Sequence, residues 1–277
     1  MVEYLAPLDS RVAGYPGAEV AARFIQQNFR EAGLHDITVH EFDVSIPVEK
    51  RGGLRISAGG ETFPLHGIWP NLVKTSSLPE GGVVGQIVDT GAGEYGDMDG
   101  SSLEGAFALM NFNSADNWLN AAYLGATAVI FIEPDSTVYL EGEKKFLTMP
   151  LDVPRFWIGK EGGTRLRELI ARNGPTEVSL DYKMDWERRP AWNILGTIPG
   201  YDPLLRDDVV VIESFYDAMS VVPALGPGAE QASGIVALIE LARYFHRHPP
   251  ARTVVFLATS AHHQALRGVD DFIQRYL

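Results

Sequence analysis

The apolar pattern of the sequence predicts an α/β protein. It reads as a doubly wound mixed sheet, incomplete at its C-terminal end, with a β-rich module inserted into it. Three observations predict this. After residue 190 the chain reads strand, loop, helix, strand, helix, with near-continuous apolar strands at 192–198, 209–215 and 252–260. Amphipathic helices at 233–247 and 266–276 alternate with them, the pattern of a sheet covered on both faces. From about residue 70 to 185, short apolar runs are separated by Gly, Pro, Ser and Asp, which is the texture of a separate β-rich module. A helix and a strand precede that module, so the segments 1–68 and 189–277 form one discontinuous domain around an insert at 69–188.

Each element has a local reason. Pro16 suits the first turn of a helix over 16–33, where Val20, Ala21, Phe24, Ile25 and Phe29 share one face and Gly33 is the stop. A strand follows at 37–48, where Ile37 and Val39, then Phe42, Val44 and Ile46, alternate with polar residues. The module holds apolar runs at 82–88, 106–112, 126–132, 155–158 and 177–182, with helices at 117–124 and 163–172. A charged link, Asp185-Trp186-Glu187-Arg188-Arg189-Pro190, leads back to the first domain. Leu277 closes the last helix with no further element, so the fold is expected to be unfinished there.

Composition excludes several function classes. The 277 residues carry a net charge of −13, which repels phosphate backbones and anionic lipid, so no nucleic-acid partner is expected. There are no cysteines, which removes disulfides, thiolate zinc sites and cysteine nucleophiles together. No apolar run approaches the ~18–20 residues of a membrane span. The opening residues Met1 to Pro7 lack the basic and apolar regions of a signal peptide, so the chain is cytoplasmic or begins after a removed leader.

Two local motifs are coincidences of spacing. Gly91-Ala92-Gly93-Glu94-Tyr95-Gly96 matches GxGxxG, but the dinucleotide fingerprint needs a helix to open there, and Asp97 to Ser102 reads as a turn. The Asp97, Asp99 pair imitates the start of a calcium loop without a Glu at its twelfth position. No GxSxG elbow occurs, and Ser233 reads as a helix N-cap.

The informative region is 209–268, with a further block just before it. Asn193-Ile194-Leu195-Gly196-Thr197-Ile198-Pro199-Gly200 resembles the entry strand of the M28 zinc peptidases, the aminopeptidase and glutamate-carboxypeptidase group. Glu213-Ser214-Phe215-Tyr216-Asp217-Ala218 resembles their "His-Tyr-Asp-Ser" strand end. The segment from Gly226 to Ile235 is similar to their "Gly-Ala-x-Asp-Asn-Ala-Ser-Gly-Val" loop, one residue out of step. Ser260-Ala261-His262-His263-Gln264-Ala265-Leu266-Arg267-Gly268 is similar to "Ser-Ala-Glu-Glu-Gln-Gly-Leu-x-Gly". Leu8 to Gly14 and the first helix also fit the family's opening. The insert resembles a protease-associated (PA) domain: Ser102 to Leu109 stands where that domain has "Lys-Gly-Lys-Ile-Val-Leu". Asn120 to Ile130 matches its "Ala-x-x-x-Gly-Ala-x-x-Val-Ile" helix-to-strand signature.

The resemblance implies two zinc ions bridged by an Asp and flanked by His, Glu, Asp and His, with a Glu as general base on metal-bound water. At the matching positions most of these side chains differ. Phe215 stands at the first His ligand and has no lone pair to give. Glu230 aligns with the bridging Asp, His263 with the Glu ligand and His262 with the general base. Asp217 keeps the carboxylate that orients a ligand, and the last Asp and His ligands would fall beyond Leu277. One reading of the pair is two partly solvated imidazoles in a loop; the other is a single metal on Glu230, His263 and Asp217. His246 and His248 end a helix, where they favour its dipole, and His35, His40 and His66 carry no signal.

These residues predict a catalytically inactive M28 homologue, a pseudo-peptidase that binds or scaffolds a peptide or protein and holds no cofactor. The alternative is a zinc-dependent exopeptidase with Glu230 and His263 on the metal. The family implies an extracellular, periplasmic or lumenal location, and the oligomeric state stays open.

Overall fold

The computed structural model describes residues 1–147, 151–226 and 228–276. In chain order, α1 (Pro16–Glu31) leads to the long strand β1 (His35–Ile56), then β2 (Thr62–Pro64), β3 (His66–Gly67), β4 (Val83–Asp89) and β5 (Phe107–Asn111). Next come α2 (Trp118–Tyr123), β6 (Ala128–Ile132), α3 (Tyr139–Glu143), β7 (Arg155–Ile158), α4 (Lys160–Asn173) and the long strand β8 (Thr176–Ile198). The chain ends with β9 (Val209–Phe215), α5 (Ser233–Arg247), β10 (Thr253–Thr259) and α6 (Arg267–Tyr276). Contacts group these into two units, one of residues 1–46, 187–220 and 224 onward, the other of residues 47–186 with 221–223. Residues 47–68 thus group with the second unit, through β2 and β3.

In the first unit β9 runs parallel to β10, with Phe215 opposite Thr259, and β10 runs antiparallel to the end of β8, with Ala258 opposite Ile194. Successive side chains on a strand point to opposite faces, and here both faces are covered. Ile194 and Ile198 of β8, with Val254, Phe256 and Ala258 of β10, pack against Ile25 and Phe29 of α1 and Ile235 and Ile239 of α5. Asn193, one residue out of phase, donates to the Gly268 carbonyl of α6 at 2.8 Å, so α6 lies on the opposite face. The expectation of a sheet wound on both sides is met. α1 opens on Pro16 as expected and closes before Gly33, whose φ of +77° is the left-handed turn that glycine allows. A Cβ on Gly33 would also lie 2.4 Å from the His246 ring at the end of α5, so this glycine permits that close approach.

The second unit is a sheet that closes on itself. Its strand order is β2-β1-β8-β4-β5-β6-β7-β3, and only Leu65 separates β2 from β3. β4, β5, β6 and β7 are parallel neighbours, and β8 pairs antiparallel with β4. Phe107, Leu109, Ala128, Ile130 and Ile132 enter one core with Leu166 of α4. Ala108, Met110, Val129 and Phe131 enter a second core with Trp118 of α2. Burial on both faces is why β5 and β6 are continuous apolar runs rather than alternating ones.

Three local expectations change. β1 does not stop at 48 but runs on to Ile56, and at Gly52 the missing Cβ admits the Leu65 carbonyl and the Tyr182 ring, which would stand 2.4 and 2.5 Å from it. The charged link at 185–190 is strand, part of the 23 residues of β8. Its charges pair two residues apart on one face, Lys183 with Asp185 and Arg189 with Glu187, each at 2.7 Å. Ser233 is the first helical residue of α5, and its hydroxyl donates to the Glu230 carbonyl at 2.7 Å instead of capping an N–H.

Candidate functional site

The site lies in the first unit, at the C-terminal ends of the parallel strands β9 and β10, where open α/β sheets bind their ligands. The ladder continues one residue past β9, where the Tyr216 N–H donates to the Thr259 carbonyl at 3.0 Å. Two loops therefore leave side by side, Tyr216 to Ser220 from β9 and Ser260 to Leu266 from β10.

These loops bring three rings together. Phe215 stacks on His262 with centroids 4.1 Å apart and planes 22° from parallel. His263 stands edge-on to both, 5.6 Å from Phe215 and 5.0 Å from His262. Burial, followed by the charge of His262, holds the His263 imidazole below its ordinary pKa.

Asp217 lies beneath them, 1% exposed, and its Oδ1 accepts the His262 N–H at 3.3 Å. Burial raises its pKa to about 7 against the opposing pull of that N–H and of the Arg11 cation. Arg11 is fully buried and ties three segments. Its guanidinium donates to the carbonyls of Leu5 at 3.1 Å and Gly228 at 2.6 Å. Its own N–H donates to Gly226 and its carbonyl accepts from Ala218, both at 2.9 Å. Gln231 braces the same loop, exchanging hydrogen bonds with the backbone of Met219 at 2.7 and 3.2 Å. Glu230 sits on an exposed turn just before α5. Pro227, in the loop matched to the family's bridging segment, lies outside the described residues.

The loop after β10 is strained. Ala261, Ala265 and Leu266 have φ of +59°, +55° and +56°, left-handed values that cost a side chain with a Cβ. Asn193 holds both ends of it, accepting the Ser260 N–H at 3.3 Å and donating to the Gly268 carbonyl. Neither Arg11 nor Asn193 stands out as a site residue in the sequence. Both lie in blocks matched to the family, and their work depends on contacts distant along the chain.

The structure brings Phe215, Asp217, His262 and His263 together. Among the described residues no group of three or more His, Asp or Glu side chains is placed to hold a metal ion. Phe215 has no lone pair, His262 lies flat on it, and an Asp217 oxygen is taken by the loop backbone. As placed, these side chains do not supply the donors of a two-zinc centre. The glycine-rich loop at 91–96 leads into a short 3-10 turn at Tyr95–Met98. There the Asp97 carboxylate accepts the N–H groups of Ala92 and Glu94 at 2.9 and 3.2 Å, amides a bound phosphate would otherwise need.

The segment carrying these loops, residues 193–276, matches Peptidase family M28. Over this segment the chain is similar to that family. A probable zinc metalloprotease of Pyricularia oryzae is 37% identical over 90 residues, which cover 30% of this chain and 17% of that protein. The whole chain superposes on the zinc aminopeptidase BSAP of Bacillus subtilis with a TM-score of 0.65 at 22% identity, covering 62% of that structure. A peptidase M28 precursor from Shewanella amazonensis gives a TM-score of 0.62 at 15% identity, with 99% of this chain and 66% of that one covered. An aminopeptidase from Aneurinibacillus sp. strain AM-1 gives 0.51 at 23%, over all of this chain and 65% of that one. At these identities the structures establish a shared fold alone, and the chain spans 62–66% of their length. No helix among the described residues is long and apolar enough to cross a membrane.

Proposed function

We propose that this M28 chain binds a peptide or protein segment without hydrolysing it. The observation that carries the reading is the stack of Phe215 on His262 at the strand ends, 4.1 Å between ring centroids. Hydrolysis on a metal would need lone pairs where a phenyl ring stands, and a base free to reach water where an imidazole is packed on that ring. What is left can bind: two imidazoles and a phenyl edge over a buried carboxyl, on a loop braced by Arg11 and Asn193. We read the second unit as a PA-like insert, a reading supported by its closed sheet and its helix-to-strand passage at α2 and β6. The family's usual extracellular, periplasmic or lumenal location is part of the same proposal.

Metal content per chain tests the reading, measured by mass spectrometry after zinc incubation and desalting, alongside cleavage of aminoacyl and peptide substrates. No retained zinc and no chelator-sensitive cleavage are expected. Near-stoichiometric zinc that disappears in His263→Ala, together with cleavage lost in the same variant, would overturn it. That result would favour the exopeptidase reading, with Glu230 and His263 as ligands and His262 as base.

A further inference from the structure

α6 follows directly on the loop that carries His262 and His263, and its two ends are held differently. At its start Asn193 bonds the Gly268 carbonyl, a neutral contact. At its far end the helix rests on β1. The Tyr276 hydroxyl meets His40 Nε2 at 3.1 Å, with the rings stacked 5.5 Å apart, and Arg275 donates to the Glu41 carbonyl at 3.1 Å.

His40 is poorly built to carry charge. Its Nδ1 is buried and has no hydrogen-bond partner. A neutral ring can leave that nitrogen as a bare acceptor, whereas an imidazolium would place an N–H there with nothing to receive it. The charges around it do not compensate. On α6, Arg275 repels a second cation, and Asp271 has both oxygens on Arg275 at 2.8 and 3.1 Å. Glu41, the next residue on β1, points to the other face and accepts the Trp192 indole N–H at 3.1 Å. Residues 190–198 of the neighbouring strand β8 carry no titratable side chain.

We propose that His40 is an acid-sensitive latch, whose protonation releases the last turn of α6 from β1 while Asn193 keeps the first turn seated. Burial, then Arg275, holds the His40 imidazole below its ordinary pKa, partly opposed by Asp271. The sign follows. A histidine depressed in the folded state contributes its docking energy above its free value of about 6.5, and loses it as pH falls through the depressed value. The latch is independent of any hydrolytic or peptide-binding activity.

Nuclear magnetic resonance of the full chain tests it, following the His40 ring and the backbone amides of 270–276 from about pH 7.5 down to about pH 5. The amides of 272–276 are expected to lose their folded chemical shifts with the same midpoint as the His40 ring, while those at the start of α6 keep theirs. His40→Gln should abolish that transition. Arg275→Gln removes the repelling cation and frees Asp271, so it should move the midpoint to higher pH. Two results would overturn the latch: an α6 transition that persists unchanged in His40→Gln, or a midpoint that Arg275→Gln does not move.

Discussion

Ala265 shows how much of the candidate site is decided at single residues. It stands where the family's motif has glycine, and it holds a φ of +55° that glycine would adopt freely. An L-residue in this region costs roughly 1–2 kcal/mol, part of which a glycine gives back through a more flexible unfolded chain. Ala265→Gly is therefore expected to stabilise the protein by about 1 kcal/mol and raise Tm by about 2 °C in a thermal melt. An unchanged or lower Tm would mean that the left-handed turn is not strained. Phe215 is legible at the same scale: no reading of the motif gives a phenyl ring a lone pair. That it would lie against His262 was not legible, because the two are 47 positions apart in the chain and meet only through the register of β9 with β10. Ser233 lies one position inside the helix it is expected to cap, within the fraying that helix starts allow.

At the scale of elements, the periodic signals held where burial is one-sided or complete, and failed where the chain is long and charged. α1 and α5 carry apolar stripes and lie near their expected bounds. β1 and β8 run past their expected bounds, β1 through Gly52 and β8 through the charges at 185–190, which resemble linker chemistry. In the structure those residues serve neighbours that sequence does not display. The Tyr182 hydroxyl donates to Glu49 at 2.7 Å and accepts the Gly67 N–H at 2.6 Å, so the seam between β1, β3 and β8 closes around one tyrosine. A Cβ on Gly67 would lie 2.4 Å from that hydroxyl and 2.6 Å from the Met184 methyl, whereas one on Gly53 would find its nearest neighbour at 3.6 Å. Gly67→Ala is expected to cost about 1–3 kcal/mol through overpacking. Gly53→Ala should be neutral or stabilising by up to about 1 kcal/mol, from the backbone entropy glycine loses on folding. Urea titrations of the two variants check this contrast, and equal effects would contradict it.

At the scale of the whole molecule, charge and composition are the strongest statements. A net charge of −13 opposes the approach of a polyanion. A short DNA duplex is thus expected to run unretarded in a gel-shift assay at low salt, and a salt-sensitive retarded band would contradict that. Cations that are buried serve the fold. Arg155 donates to the Trp69 carbonyl at 3.2 Å, and Lys145 to the Ala115 carbonyl at 2.5 Å, inside the second unit. Burial drives the Arg155 pKa down to about 10, which still leaves it charged at neutral pH.

The fold class, the covering of the first unit's sheet on both faces, the absence of thiol groups and the similarity of 193–276 to the M28 peptidases are legible in the chain alone. These follow from residue type and short-range period, which each segment carries alone. The chain alone does not display the stack of Phe215 on His262, the bracing of the loops around Asp217 by Arg11 and Asn193, or the meeting of His40 with Tyr276. These contacts join positions dozens to hundreds of residues apart. The energy that selects them comes from register and packing between strands and helices, and no local stretch of sequence contains it.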